Sequence, residues 1–329
     1  MLLGAIFLSG VSSSGVGQDS AGAGWVDRSP HRARFVQVAP GVSLEVLDWG
    51  GSGPPLVFLS GLQDVAHGFD DFAPRFTDKY HVVAITRRGY GASSQTSSGY
   101  DLATRVADLR ATLDSLHLGR VALVGHSIAG DELTAFAGSY PARVSALVYF
   151  DAAYDHSGVT SLLGQRAPWL PMLAPDSASP AAVRAYTLHA FGAHIPEAQI
   201  RAIGRYDASG HLTGNVTPGV IDSLVLVGCG HPDYHAVKSP ALAIYAIVDS
   251  APQVFPNWPR LNSGDRAAAL RFTTTLQKWA VGERARLRRE LPSARVLELH
   301  GANHYVFDSH PAEVTRAMRA FLDPAAGGR

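Results

Sequence analysis

A serine with the surroundings of a catalytic nucleophile lies in residues 121–130, VALVGHSIAG. The apolar residues before it predict a buried strand, and a helical pattern follows it directly. A G-x-S-x-G turn between a strand and a helix holds the serine hydroxyl above the sheet, at a helix N-terminus that favours negative charge. Ala129 replaces the second glycine, which exchanges one small residue for another. We therefore predict that Ser127 is a nucleophile.

A serine hydroxyl needs a base to remove its proton, and the base needs an acid to orient it. His304 lies in the loop after the last predicted strand and before the final helix. His300 is the rival, but it stands directly at the strand end, where we expect its side chain to point into packing. The loop beyond Gly301 allows His304 to return over the turn that carries Ser127. We predict His304 as the base.

Two aspartates follow apolar runs and are candidates for the acid. Asp249 comes after residues 241–248, and Asp151 comes after residues 144–150. A carboxylate at the C-terminal end of a strand can reach the imidazole and fix its tautomer. The chain order serine, acid, histidine is satisfied by both. We predict Asp249, with Asp151 as the alternative acid.

The oxyanion of a tetrahedral intermediate needs two N–H donors, each of which lowers the barrier by about 3 kcal/mol. The residue after the nucleophile supplies one, which is Ile128. The loop after residues 55–60 supplies the second, and Gly61 permits an unusual backbone there. We assign the second donor to Leu62, and we expect the adjacent Gln63 either near the site or facing solvent.

The elements that must position these residues follow from hydrophobic patterning. Apolar runs typical of strands alternate with amphipathic stretches, which predicts a mainly parallel sheet with helices on both faces. We predict strands at residues 34–38, 43–49, 55–60, 81–86, 121–125, 144–150, 241–248 and 294–299. The alternation stops at residues 154–238, which are rich in proline, glycine and histidine. We predict a cap at 154–238, inserted into a core of residues 32–153 and 239–325.

Aromatic residues in the inserted segment predict the character of a substrate pocket. Trp169, Tyr186 and Phe191 either pack the cap on the core or line an apolar pocket, with Gln63 and His126 beside the nucleophile. Such a pocket would accept a small-to-medium acyl or aromatic group. A long triglyceride chain is not expected.

Composition limits the partners and the compartment. The 329 residues carry a formal net charge of zero without a basic stripe, which gives no indication of nucleic-acid binding. Residues 2–8 are apolar and are followed by a Ser/Gly-rich stretch, a pattern that resembles a secretory signal. We predict a signal or disordered extension at 1–31 and export to the periplasm or the medium, with a cytoplasmic protein as the alternative. No run approaches the ~20 apolar residues of a membrane span.

We expect neither a cofactor nor a metal. His231 and His235 have ligand types at short spacing, but no third partner follows in a recognisable pattern. Residues 89–91, GYG, lack the lysine of a phosphate-binding loop. A small-molecule substrate is the expected partner.

These features together resemble the α/β-hydrolase superfamily, in its branch of capped, carboxylesterase-like serine hydrolases. The resemblance covers about residues 34–322 and includes residues 86–93, TRRGYGAS, which look like the family pattern D-x-R-G-x-G-x-S with Thr86 in place of the aspartate. The usual His-Gly of the oxyanion loop is Ser60-Gly61 here. The resemblance implies an eight-stranded, mostly parallel sheet with helices on both faces and a helical cap after strand six.

The identity of the nucleophile restricts the reaction. Epoxide hydrolases and haloalkane dehalogenases of this fold use an aspartate to form an alkyl-enzyme, so that Ser127 argues against both. Serine suits acyl transfer, and esters are the commonest substrates of the family. We predict hydrolysis of a carboxylic ester through an acyl-enzyme. The alternatives are cleavage of a lactone, an amide or a carbon–carbon bond, or a ligand-binding member without catalysis.

Overall fold

The computed structural model describes residues 25–159 and 167–323. The predicted signal sequence lies before residue 25, outside the described residues. The strands of the described chain are β1 (Arg32–Ala39), β2 (Val42–Gly50), β3 (Pro55–Leu59), β4 (His81–Ile85), β5 (Val121–His126), β6 (Val144–Phe150), β7 (Gly204–Tyr206), β8 (Leu212–Asn215), β9 (Ala241–Ile247) and β10 (Arg295–His300).

Eight of these strands form one sheet in the order β1-β2-β4-β3-β5-β6-β9-β10. The strand β2 pairs antiparallel with both β1 and β4, and the six strands from β4 to β10 pair in parallel. The predicted eight-stranded, mostly parallel sheet is therefore confirmed. Because the parallel strands end at one edge, the loops that follow them are brought together there.

The helices of the described chain are α1 (Leu102–Ser115), α2 (Ala129–Ser139), α3 (Pro180–Phe191), α4 (Glu197–Ile203), α5 (Gly219–Val227), α6 (Ala251–Val254), α7 (Ser263–Glu290), α8 (Val306–Ser309) and α9 (Pro311–Leu322). Successive residues of a strand point to opposite faces. Accordingly, Leu123 of β5 packs in the same apolar cluster as Phe136 of α2, whereas Val124 packs with Val314 of α9. The core thus consists of two apolar layers separated by the sheet.

The segment between β6 and β9 contains most of the irregular structure. It includes α3, α4, the separate hairpin β7–β8 and α5. It follows the sixth strand, and a cap at 154–238 stays a prediction; the hairpin was not predicted. Within the described ranges, no helix is both long and apolar enough to cross a bilayer.

We predicted a signal or disordered extension at 1–31, but residues 25–31 pack on the folded core. The prediction is therefore wrong for these seven residues. The Arg201 guanidinium lies 4.8 Å from the ring centre of Trp25, and His31 Nδ1 is 2.9 Å from a carboxylate oxygen of Asp70. Ser29 accepts a hydrogen bond from the indole N–H of Trp49. Residues 25–31 form neither a helix nor a strand, and side-chain contacts hold them in place. Their sequence therefore shows no hydrophobic period from which this packing could be predicted.

Candidate active site

Ser127 occupies a strained turn between β5 and α2. Its φ angle is +55°, a left-handed conformation that non-glycine residues rarely adopt and that is often found at functional sites. A Cβ atom on Gly130 would lie 1.9 Å from the carbonyl oxygen of Ala152. The small residue at 130 therefore lets α2 begin directly against the chain that follows β6. This is the geometry expected of a nucleophile turn.

His304 is hydrogen-bonded to Asp151, not to Asp249. The distance from His304 Nδ1 to Asp151 Oδ2 is 2.7 Å; the Asp151 side chain is buried and that of His304 is largely buried. The other carboxylate oxygen of Asp151 accepts hydrogen bonds from Tyr154 Oη at 2.5 Å and from the backbone N–H of Ala246 at 3.2 Å. With its Nδ1 proton donated to Asp151, His304 has Nε2 free to accept a proton.

The prediction of Asp249 as the acid is wrong on this geometry, and the sheet order explains why. His300 is paired with Ile247 across β10 and β9, which places it beside the loop that begins at the end of β9. Asp249 therefore bonds to His300, at 2.9 Å, and both side chains are exposed.

The chain turns at Gly301, whose φ is +78°, and returns over β6. His304 consequently meets Asp151, the alternative acid, which directly follows β6. His126 and Phe150 are register partners in β5 and β6, so that Ser127 and Asp151 follow adjacent strand ends. His300, expected to point into packing, is exposed instead.

Burial and local charges set the protonation states of this pair. Burial lowers the pKa of His304 well below its ordinary value, and the neighbouring His126 acts in the same direction against the opposing effect of Asp151. Burial acts to raise the pKa of Asp151, but the interactions that oppose it, including hydrogen bonds from His304 and Tyr154, hold that pKa below the usual range. At neutral pH the pair is a neutral imidazole beside a carboxylate.

The two residues assigned to the oxyanion donors belong to one apolar cluster. Leu62 and Ile128 are both buried in it, together with Val65 and Tyr90. Gln63 has a φ of +68°, and its side chain turns away from Ser127 to donate a hydrogen bond to Asp222 in the insertion. It is therefore neither solvent-facing nor part of the cavity beside Ser127; it lines a separate small cavity.

A buried polar network connects the loop after β3 with the loop that carries His304. Asp64 accepts hydrogen bonds from Tyr305 Oη at 3.1 Å and from Gln199 Nε2 at 2.6 Å. His126 lies between them, with Nδ1 3.4 Å from Asp64 and Nε2 donating to the carbonyl oxygen of His304 at 3.1 Å. Asp64, Tyr305 and Tyr154 were not predicted from the sequence, because nothing in their local pattern shows which loops meet.

A cavity of about 290 Å³ opens beside Ser127 and His304. Aromatic and aliphatic side chains dominate its lining, and Trp169 and Phe191 are among them, as are Trp279 and Leu276. Two other residues predicted for the pocket are not in the lining. Tyr186 is buried and donates its hydroxyl to the carbonyl oxygen of Leu170, whereas His126 lies beneath the site in the polar network.

The cavity contains a guanidinium that already has a partner. Arg284 is the only lysine or arginine among the described residues of the lining. Its Nε lies 3.4 Å from Glu298, and its guanidinium lies 5.9 Å from the ring centre of Tyr245. The same oxygen of Glu298 accepts a hydrogen bond from Arg288 at 2.7 Å, so that two guanidinium groups share one carboxylate.

Comparison with known proteins agrees with this architecture. Residues 54–186 match the model of the alpha/beta hydrolase fold family, a range that contains both Ser127 and Asp151. The crystal structure of E-2-(acetamidomethylene)succinate hydrolase superimposes with a TM-score of 0.65, at 20% identity, over 89% of this chain and 99% of that chain. The chain has the α/β-hydrolase fold.

The relatives differ in their reactions. The chain is 27% identical over 285 residues to the 2-(acetamidomethylene)succinate hydrolase of Mesorhizobium japonicum, which covers 83% of this chain and 89% of that protein. It is 35% identical over 120 residues to a non-heme chloroperoxidase of Streptomyces lividans, over 36% of this chain and 44% of that protein. Carboxylesterase CesB from Bacillus subtilis superimposes with a TM-score of 0.56 at 16% identity, over 91% of this chain and 93% of that chain.

Proposed function

We propose that this protein is a carboxylesterase-like serine hydrolase that uses Ser127 as nucleophile, His304 as base and Asp151 as the orienting acid. The observation that carries the proposal is the 2.7 Å hydrogen bond between His304 and Asp151, beside a cavity that Ser127 also lines. A buried carboxylate that fixes a neutral imidazole next to a strained serine is the arrangement that acyl transfer requires.

The reaction would proceed in two steps. Ser127 Oγ attacks the ester carbonyl while His304 Nε2 takes its proton, and the resulting oxyanion accepts hydrogen bonds from the backbone N–H groups of Leu62 and Ile128. His304 then gives the proton to the departing alcohol, which leaves an acyl group on Ser127. A water molecule, deprotonated by the same imidazole, releases the acid.

The size and lining of the cavity favour a small-to-medium acyl or aromatic ester. A volume of about 290 Å³ is at the lower end for ligand sites, and aromatic walls such as Trp169 and Phe191 favour an uncharged group. We therefore place neutral esters ahead of dicarboxylate substrates.

A second candidate is cleavage of an amide, and the similarity to a relative favours it. The protein whose name gives 2-(acetamidomethylene)succinate as its substrate aligns with 83% of this chain. An amide needs more assistance in protonating its leaving group than an ester does, and His304 is the group that would supply that proton.

A substrate series tests the proposal. We expect kcat/KM to be highest for p-nitrophenyl acetate, butyrate or benzoate, to fall for the palmitate, and to be lower for the matched anilides. Ser127→Ala is the control and should reduce turnover to the background rate. Best turnover on the palmitate would contradict the assigned substrate class, and anilides that exceed the esters would favour the amide candidate.

A further inference from the structure

Two pairs of potential metal ligands meet on the surface of the core away from Ser127. Asp27 and His31 belong to the segment that precedes β1, and His67 and Asp70 belong to the short 3₁₀ turn at Ala66–Phe69 and the residue that follows it. Residues three apart lie above one another on a 3₁₀ turn, so that His67 and Asp70 share a face. The two chain segments are thereby brought together through these four side chains.

The distances within this cluster are those of a compact ligand set. One ligand atom from each of the four residues lies within 4.8 Å of the others. Asp70 holds one carboxylate oxygen 2.9 Å from His31 Nδ1 and the other 2.9 Å from His67 Nδ1. Asp27 Oδ2 lies 3.5 Å from His67 Nδ1 and 3.6 Å from His31 Nε2. Around a tetrahedral zinc ion with bonds of about 2.0–2.2 Å, ligand atoms are separated by about 3.4 Å.

The chemistry of the set selects the kind of ion. Two imidazoles and two carboxylates are ligands that divalent first-row metals accept, whereas calcium and magnesium prefer oxygen alone. The two carboxylates also bring two negative charges into a half-buried site, which a divalent cation would neutralise. We propose that Asp27, His31, His67 and Asp70 form a structural zinc site that fastens the N-terminal segment to the core.

Neighbouring groups orient the proposed ligands. The backbone N–H of Ser29 donates to Asp27 Oδ1, which leaves Oδ2 facing the two histidines. Ser29 Oγ is in turn held by the indole N–H of Trp49. Bonds of this kind to the outer atoms of metal ligands are typical of metal centres, where they fix the direction of each ligand. This proposal departs from our expectation that the chain binds no metal. The site was not predicted because its ligands come from two segments whose proximity the sequence pattern does not indicate.

Zinc binding to the full chain tests the proposal. After removal of metals with a chelator and dialysis, titration with ZnCl₂ should show one ion bound per chain. At a free zinc concentration 100 times the Kd, the ratio of folded to unfolded protein should rise about 100-fold, which corresponds to a Tm about 5 °C higher. Co²⁺ in place of Zn²⁺ should give the intense visible absorption of a tetrahedral centre.

Matched variants separate this site from unspecific binding by surface histidines. His67→Gln and the conservative, more exposed Asp27→Asn should each abolish the stoichiometric zinc binding and the rise in Tm. His231→Ala, which removes an exposed histidine paired only with the nearby Asp155 and Ser157, should leave both unchanged. Should His67→Gln fail to fold, Asp27→Asn and the Co²⁺ spectrum still decide the matter.

The proposal is overturned by an unchanged Tm in zinc together with less than one ion per chain. It is also overturned by zinc binding that persists in both ligand variants. In either case the four residues form only a hydrogen-bonded network of imidazoles and carboxylates. Neither result bears on Ser127, so that the zinc site and the proposed hydrolase activity are tested separately.

Discussion

At the scale of single residues, unusual backbone conformations cluster around the proposed chemistry. Four non-glycine residues of the described chain have a positive φ: Gln63, His117, Ser127 and Asp151. Three of them follow the ends of neighbouring strands β3, β5 and β6. Such conformations persist only where the surrounding structure imposes them. The backbone strain therefore indicates the same site as the side-chain chemistry, as a separate observation.

The identity of the acid is tested by a pair of matched substitutions. Asp151→Asn should lower kcat by about 10⁴-fold, because an amide no longer stabilises the imidazolium or holds the tautomer that accepts a proton. Asp249→Asn, at the exposed pair with His300, should leave kcat within a few-fold of the native value. Steady-state kinetics on one ester is sufficient, and the opposite ranking would return the role to Asp249.

The pH dependence follows from the buried imidazole. His304 must be neutral to take the proton of Ser127, so that activity is lost as the pH falls through its pKa. Because burial holds this pKa well below 6.5, the rising limb of kcat/KM should have its midpoint below that value. The exposed His300→Ala variant should give the same midpoint, and a midpoint above 6.5 would argue against His304 as the base.

Residues near one motif were easier to predict from the sequence than residues that meet across the sheet. Ser127 lies in a local strand–turn–helix pattern, and the loop after the last strand pointed to His304. The choice between Asp151 and Asp249 depends on the order of β6, β9 and β10 and on the turn at Gly301. Both aspartates follow apolar strands, and no local pattern distinguishes them.

At the scale of elements, the approach of α2 to the chain after β6 determines the position of Ser127, the proposed nucleophile. Gly130 stands in the first turn of α2, where a Cβ atom would lie 1.9 Å from the carbonyl oxygen of Ala152. Backbone atoms cannot move aside as flexible side chains can. The same contact places Asp151, one residue before, next to the start of the helix.

Two Gly→Ala substitutions in helices test this contact. Gly130→Ala should lower the free energy of unfolding by about 1–3 kcal/mol, because the added methyl forces α2 away from residue 152, and it should also reduce kcat. Gly282→Ala, at an open and exposed position of α7, should raise that free energy by about 0.5–1 kcal/mol. Denaturant unfolding measures both, and equal effects would show that the contact at 130 is not tight.

The elements themselves were predicted with uneven success. Long apolar strands such as β5, β6 and β9 have strong patterns, and all eight strands of the sheet were predicted. The hairpin β7–β8 was missed because its strands are short and contain glycine, so they provide too few residues to show a period of two. Helix α7 is continuous from Ser263 to Glu290.

At the scale of the whole molecule, residues 25–31 belong to the folded core. The contacts of Trp25 with Arg201 and of His31 with Asp70 connect this segment to the insertion and to the turn after β3. Polar contacts of this kind leave no hydrophobic pattern in the sequence. This is why the boundary of the core could not be predicted more closely than residue 32.

Comparison of two truncated chains measures the contribution of this segment. A protein that starts at residue 25 should be more stable by about 1–3 kcal/mol than one that starts at residue 32, since the shorter chain removes His31 from Asp70 and Ser29 from the indole N–H of Trp49. Tm values of the two proteins, measured with a chelator present, provide the test. Equal Tm values would mean that the contacts of residues 25–31 do not contribute to the stability of the fold.

The central claim, that Ser127 is the acylated nucleophile, is tested most directly by a fluorophosphonate probe followed by mass spectrometry of the peptides. We expect one label per chain, on Ser127, with loss of ester hydrolysis in proportion to labelling and no label in Ser127→Ala. A label on a different residue, or ester hydrolysis that persists in the fully labelled protein, would contradict it.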